Sequence, residues 1–167
     1  NDQVNVRVNF SANNRATFET TLNSAINSGG NGTPESTDEC LNTVLNALAA
    51  SGRANPRSGD CSPFGPLQIN DFTPAFRTNA LKLVVVITDA EPGGFCDSGD
   101  GGTQAHQYAL LARANCVKIN AIQVAIGSNT WDATAEAVMR DYQQTSCGWY
   151  SQAPRDGGDV ARYVLKM

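Results

Sequence analysis

Leu83-Val84-Val85-Val86-Ile87-Thr88-Asp89-Ala90-Glu91-Pro92 is the stretch whose reading decides the fold. The run from Leu83 to Ile87 is continuously aliphatic, the pattern of a strand buried on both faces, and such strands belong to parallel sheets covered by helices. It is also the longest apolar run in the chain, far below the ~18 residues a membrane-crossing helix needs. Thr88 and Asp89 fall at the carboxyl end of this strand, and Ala90-Glu91-Pro92 lead away from it. In open α/β sheets ligands bind outside the carboxyl ends of the strands, so a carboxylate at that position is a candidate for chemistry.

Working outward, the Gly-rich segment 93–102 leads into a predicted helix over about 103–115, with Tyr108, Leu111 and Ala112 facing inward. A strand over about 118–126 follows. Next comes a helix over about 131–144, with Val138, Met139 and Tyr142 on one face. Trp149-Tyr150-Ser151 reads as a short strand, and Val160, Tyr163 and Val164 as the apolar face of a last helix. Upstream of the central strand, residues 51–80 hold Pro56, Pro63, Pro66 and Pro74 and no sustained period, an irregular excursion inside the domain. Before it, Thr33 is placed to cap a helix, Pro34 suits its first position and Ser36 with Glu39 fit a capping box. Leu41, Val44, Leu45 and Leu48 form the stripe of that helix. Phe18, Leu22 and Ile26 mark a shorter helix between Asn14 and the Gly29-Gly30 stop. At the start, Val4, Val6, Val8 and Phe10 alternate with Asn5, Arg7 and Asn9, an edge strand over 3–10 with one wet face. Strands alternating with helices imply βαβ units: one α/β domain over 1–167, a three-layer, mostly parallel sheet with an edge strand.

Composition narrows the partners. Lys+Arg number 12 against 16 Asp+Glu, a net charge of -4, and the Arg residues are scattered, so no basic stripe exists for a phosphate backbone and nucleic acid is excluded as a partner. Charged residues are 17% of the chain, below the usual ~25%, and Lys occurs only at 82, 118 and 166; that uncharged polarity suits a secreted protein. The chain opens at Asn1 with neither an initiator Met nor a signal peptide, and closes at Met167 straight after an amphipathic stretch, which reads as a processed or partial chain. The 5 cysteines have no Cys-x-x-Cys spacing, which argues for disulfides with one thiol left over rather than a zinc cage.

Two acidic segments fall where an α/β sheet binds ligands: Gly29-Gly30-Asn31-Gly32-Thr33-Pro34-Glu35, entering a helix, and Thr88-Asp89-Ala90-Glu91-Pro92, leaving the central strand. Gly-Gly-Asn-Gly-Thr-Pro-Glu-Ser, followed by an Asp-Glu-x-Leu helix and later by Leu81-Lys82-Leu83-Val84-Val85-Val86-Ile87-Thr88-Asp89-Ala90-Glu91-Pro92, resembles a von Willebrand factor A domain of the subgroup with integrin-β-like loops. The similarity extends from Val4 to Leu165. It implies a doubly wound sheet whose antiparallel edge strand would be residues 3–10. It also implies a metal-ion-dependent adhesion site, in which Mg²⁺, Mn²⁺ or Ca²⁺ is held by an Asp-x-Ser-x-Ser loop, by a Thr or Glu of the second loop and by an Asp after the central strand. By position, Glu35 and Thr33 would be the second-loop ligands and Asp89 the third-loop ligand. Hard cations select carboxylate, hydroxyl and water oxygens, and an incomplete shell leaves one position for an acidic side chain of a protein partner.

The chain departs from the family pattern in one place: no Asp-x-Ser-x-Ser follows a strand. Asp60-Cys61-Ser62-Pro63-Phe64 lacks the second Ser, and Asn9-Phe10-Ser11-Ala12-Asn13 replaces the charged Asp by Asn. The resemblance therefore implies that the family's first strand, first helix and second strand precede Asn1, and that the cation is held only where that loop is present. The same residues have plainer roles too: Thr33 as an N-cap, Glu35 as a first-turn acid favoured by the helix dipole. Asp97-Ser98-Gly99-Asp100-Gly101-Gly102 lacks the ligand repeat of a calcium loop and reads as a helix lead-in, and His106 has no Cys or second His near it in sequence.

Catalysis by Asp89 would need companions, and there is no Gly-x-Ser-x-Gly elbow, Walker loop or Asp-x-Asp after a strand. The expectation is thus a non-enzymatic, extracellular or cell-surface adhesion module. The alternative is a subunit of a surface fibre, assembling with its own copies, whose sheet another segment or chain completes. Cys61 and Cys96 are expected to pair at the carboxyl edge of the sheet, Cys116 and Cys147 at the opposite edge, with Cys40 free or bonded outside this chain.

Overall fold

The computed structural model describes residues 4–7, 16–17, 20–21, 35–53, 67–73, 76–95, 100–128, 130–156 and 160. Within them the elements run β1 (Val4–Asn5), α1 (Thr37–Asn46), a 3₁₀ turn (Ala50–Gly52), β2 (Gln68–Ile69), β3 (Lys82–Thr88), α2 (Thr103–Ala114), β4 (Val117–Val124), α3 (Ala133–Ser146) and β5 (Tyr150–Ala153). The protein is α/β with parallel sheets: β3, β4 and β5 form one in that order, and β1 pairs with β2 in the other.

The register explains which face of the larger sheet is covered. Val84 pairs with Ile119 and Val86 with Ala121, and paired residues of parallel strands share a face. That face packs beneath Ala105, Ala109 and Ala112 of α2, Val138, Met139 and Tyr142 of α3 and Leu41 of α1. Alanines at these three positions of α2 let the helix lie close to the strands, while Met139 and Tyr142 fill the space between. Each fully buried aliphatic or Met side chain contributes roughly 1.5–3 kcal/mol, so this cluster dominates the described core. Asp132 caps α3 by accepting from the Ala135 N–H at 2.7 Å, and the stripe expected from the helical period is the one buried.

Several elements differ from the sequence-based expectation. Residues 82–88 were expected at the centre of the sheet, buried on both faces. Among the described residues β3 instead has one neighbour, and Val85 and Ile87 on its second face are 37% and 46% exposed. β4 occupies the middle and is buried on both faces, with Ile119 and Ala121 on one and Asn120 and Ile122 on the other. Val4–Asn5 was expected to belong to an antiparallel edge strand; its ladder with Gln68–Ile69 is parallel, fixed by Val4 N–H donating to Leu67 O and Val6 N–H to Ile69 O, each at 3.0 Å. Residues 8–10 lie outside the described residues, as do Phe18, Leu22 and Ile26, although Ala16, Thr17, Thr20 and Thr21 within the same predicted helix are helical.

The helix expected from Pro34 starts at Thr37, because Glu35 is held extended by pairing with Pro92. No capping box forms: Ser36 makes no side-chain cap bond, and the Glu39 carboxylate turns to Arg53. The helix stops at Asn46, with Ala47 in the left-handed region, so Leu48 falls beyond it. Cys116 and Cys147 are exposed free thiols rather than a disulfide, and Cys40 is free as well. Cys61 and Cys96 lie outside the described residues.

Candidate functional site

At the carboxyl end of β3 the chain bends sharply. Thr88 Oγ1 accepts the Ala90 N–H at 3.2 Å, which folds the backbone around Asp89 and leaves that residue exposed while Ala90 is buried. The following residues, Pro92 to Phe95, run inward and are buried.

Against this turn lies the segment that precedes α1. Glu35 N–H donates to Glu91 O at 2.8 Å, Gly93 N–H to Glu35 O at 2.6 Å and Asp38 N–H to Gly93 O at 3.1 Å. These bonds form a short parallel bridge between Glu35 and Pro92, joining the two acidic segments singled out in the sequence at one edge of the sheet. Glu35 is half-buried there and Asp89 is exposed; Thr33 lies outside the described residues. Glu35 lies just before the N-cap Ser36 of α1, and the acids within the first turn are Asp38 and Glu39. Among the described residues no three His, Cys, Asp or Glu side chains converge as a metal cluster.

Beneath the bridge is a buried polar layer. Asp38 and Glu39 are both fully buried. Asp38 Oδ1 accepts from Tyr142 OH at 2.9 Å, tying the start of α1 to α3. Burial, reinforced by the neighbouring Asp38, pushes the Tyr142 phenol well above its ordinary range. Glu39 is ion-paired with Arg53, whose guanidinium also donates to Glu39 O and to Thr43 Oγ1, each at 3.2 Å. The same guanidinium lies over the Phe95 ring, 5.1 Å from its centroid. Gln68 continues the layer, its Nε2 donating to Leu48 O at 2.8 Å and to Asn70 O at 3.0 Å. Buried charges of this kind are tolerated only when paired and hydrogen-bonded.

The acids of α1 were legible only in part. Asp38 shares a helical face with Leu41 and Leu45, at i, i+3 and i+7, which is the signal that it points inward; Arg53 sits in the irregular stretch and carries no such signal. His106 also has a partner that spacing could not show. Its Nδ1 lies 2.9 Å from Asp141 Oδ2 on α3, an exposed pair between neighbouring helices. No family model, curated protein or solved structure matches the chain.

Proposed function

We propose that this chain is an extracellular protein-binding module in which a divalent cation, Mg²⁺, Mn²⁺ or Ca²⁺, is held at the carboxyl edge of the sheet and receives an acidic side chain of a protein partner. One observation carries the reading: the backbone bridge between Glu35 and Pro92 sets the loop of Glu35 beside the turn of Asp89. Glu35 is held extended ahead of α1, and Asp89 stands exposed at a turn closed by Thr88 Oγ1. The resemblance to von Willebrand factor A domains rests on the same two segments. With it come Thr33 as a further oxygen ligand, a three-layer doubly wound arrangement, and a first metal loop of the Asp-x-Ser-x-Ser kind.

In this reading Asp89 and Glu35 supply carboxylate oxygens to a hard cation, and the cation's open position takes the partner's carboxylate. Without the Asp-x-Ser-x-Ser loop the affinity is weak. Calorimetry on the domain with that loop present tests the assignment. Asp89→Asn lowers Mg²⁺ or Mn²⁺ affinity tenfold or more, on the order of 1.4 kcal/mol, with little change in thermal stability. Glu35→Gln acts in the same direction. Equal cation affinity in the parent and both variants would show the two carboxylates to be structural.

A second reading, a fibre subunit whose sheet is completed by another segment or chain, is favoured by the exposure of Val85 and Ile87 on β3. An apolar strand of this length with one neighbour among the described residues is an edge that soluble proteins normally blunt or cover.

A further inference from the structure

We propose that Arg53 is a positioning residue for the candidate cation site, a buried clamp that holds the Glu35 segment and the Asp89 turn in register. This rests on the reading of Asp89 and Glu35 given above. The two segments meet through backbone bonds at Glu35, Asp38, Glu91 and Gly93, and a short bridge of that kind is marginal without support from below. Arg53 supplies the support on both sides at once. On one side its guanidinium binds the Glu39 carboxylate, the Glu39 carbonyl and Thr43 Oγ1, all on α1, which follows Glu35 directly. On the other its plane covers Phe95, which is fully buried and ends the stretch that leaves Asp89.

Arg is suited to this double duty. Its planar fork makes several directed hydrogen bonds while its face stacks on an aromatic ring, which a Lys ammonium cannot do. The side chain is almost wholly buried, so Arg53 does not reach a ligand itself; it acts through the backbone it fixes. Sliding the start of α1 relative to Phe95 would break the bonds at Glu35 and Gly93 and let the two carboxylates drift apart.

The test uses Arg53→Met combined with Glu39→Gln, which removes both charges of the pair and avoids leaving either without its partner. Val138→Ala, a core change on α3 away from both segments, serves as a control for general destabilisation. Amide hydrogen exchange is read first, in the absence of metal. The double variant is expected to exchange the Glu35, Asp38 and Gly93 amides at least tenfold faster, with Ile119 and Ala121 of β4 unchanged, whereas Val138→Ala leaves the Glu35, Asp38 and Gly93 amides no more affected than those of β4. Mn²⁺ affinity is read second, and is expected to fall about tenfold in the double variant and to hold in the control. Unchanged exchange at Glu35 and Gly93 in a folded double variant would overturn the clamp. Accelerated exchange with unchanged Mn²⁺ affinity would overturn its role at the site. Localised acceleration with no Asp89-dependent Mn²⁺ binding in the parent protein would leave the clamp standing and remove the cation reading beneath it. If the double variant does not fold, Phe95→Leu, which keeps the ion pair and removes the stacking surface, replaces it under the same criteria.

Discussion

Tyr142 is the residue whose chemistry is most tightly bound to the fold. Its hydroxyl donates to the buried Asp38 carboxylate, so ionising it would place two negative charges together in the core. The raised folded-state value has a definite consequence for stability. Above about pH 10, the ordinary phenol value, the unfolded chain loses this proton while the folded chain keeps it. The unfolded state then binds fewer protons, so stability contributed by Tyr142 is complete below pH 10 and declines as pH rises further. Denaturant melts between pH 9 and pH 11 should show a steeper alkaline loss in the parent than in Tyr142→Phe, although the variant is less stable at neutral pH. The Arg53–Glu39 pair gives a second expectation at this scale. Arg53→Met alone leaves a carboxylate buried without its partner and should cost about 3–5 kcal/mol, whereas adding Glu39→Gln should recover much of that loss. A double-mutant cycle of urea midpoints measures the difference.

Among the elements, the connection from α3 to β5 is the most constrained. Cys147 leaves the helix in the left-handed conformation at φ 59, and Gly148 then passes so close to β4 that an added Cβ would sit 1.9 Å from the Ile119 carbonyl oxygen. Asn120 Oδ1 accepts the Trp149 N–H at 2.9 Å and fixes the entry to β5. Gly148→Ala must push the strands apart and should cost about 1–3 kcal/mol or more, read from thermal or urea unfolding. Such contacts bear on what the sequence could tell. The aliphatic run of β3, the Val138, Met139, Tyr142 stripe and the helix before β4 follow from local periodicity, and were legible. The start of α1 was not, because what keeps Glu35 extended is a bridge to Pro92, far away in sequence. Nor was the environment of β3: a continuous apolar run signals two buried faces, and it does not say which segment or chain covers the second. At the candidate site the two acidic segments were found by their places at strand and helix ends, while Arg53 and the bond from Tyr142, itself legible as an inward residue, to Asp38 emerged only from the tertiary contacts.

At the scale of the whole molecule, the described helices, strands and polar layer converge on one end. α1 packs with α2, α2 with α3, and both α2 and α3 with β4, so the face they cover forms a rigid base. From that base the β3 carboxyl end and the approach to α1 project together, and the interlocked bonds of Glu35, Asp38, Glu91 and Gly93 hold them there. Cys116 and Cys147 lie at the opposite end, before β4 and β5. A cation bound between Asp89 and Glu35 must therefore act on one end of the molecule and leave the other untouched. Titrating the ¹⁵N-labelled protein with Mn²⁺ and following paramagnetic broadening of amide signals detects even weak occupancy. The account predicts that Glu35, Ala90 and Gly93 broaden first and that Asn115, Cys116 and Cys147 stay sharp, with the selective broadening abolished in Asp89→Asn. Broadening that is uniform, that centres on the Cys116 and Cys147 end, or that persists unchanged in Asp89→Asn would contradict it.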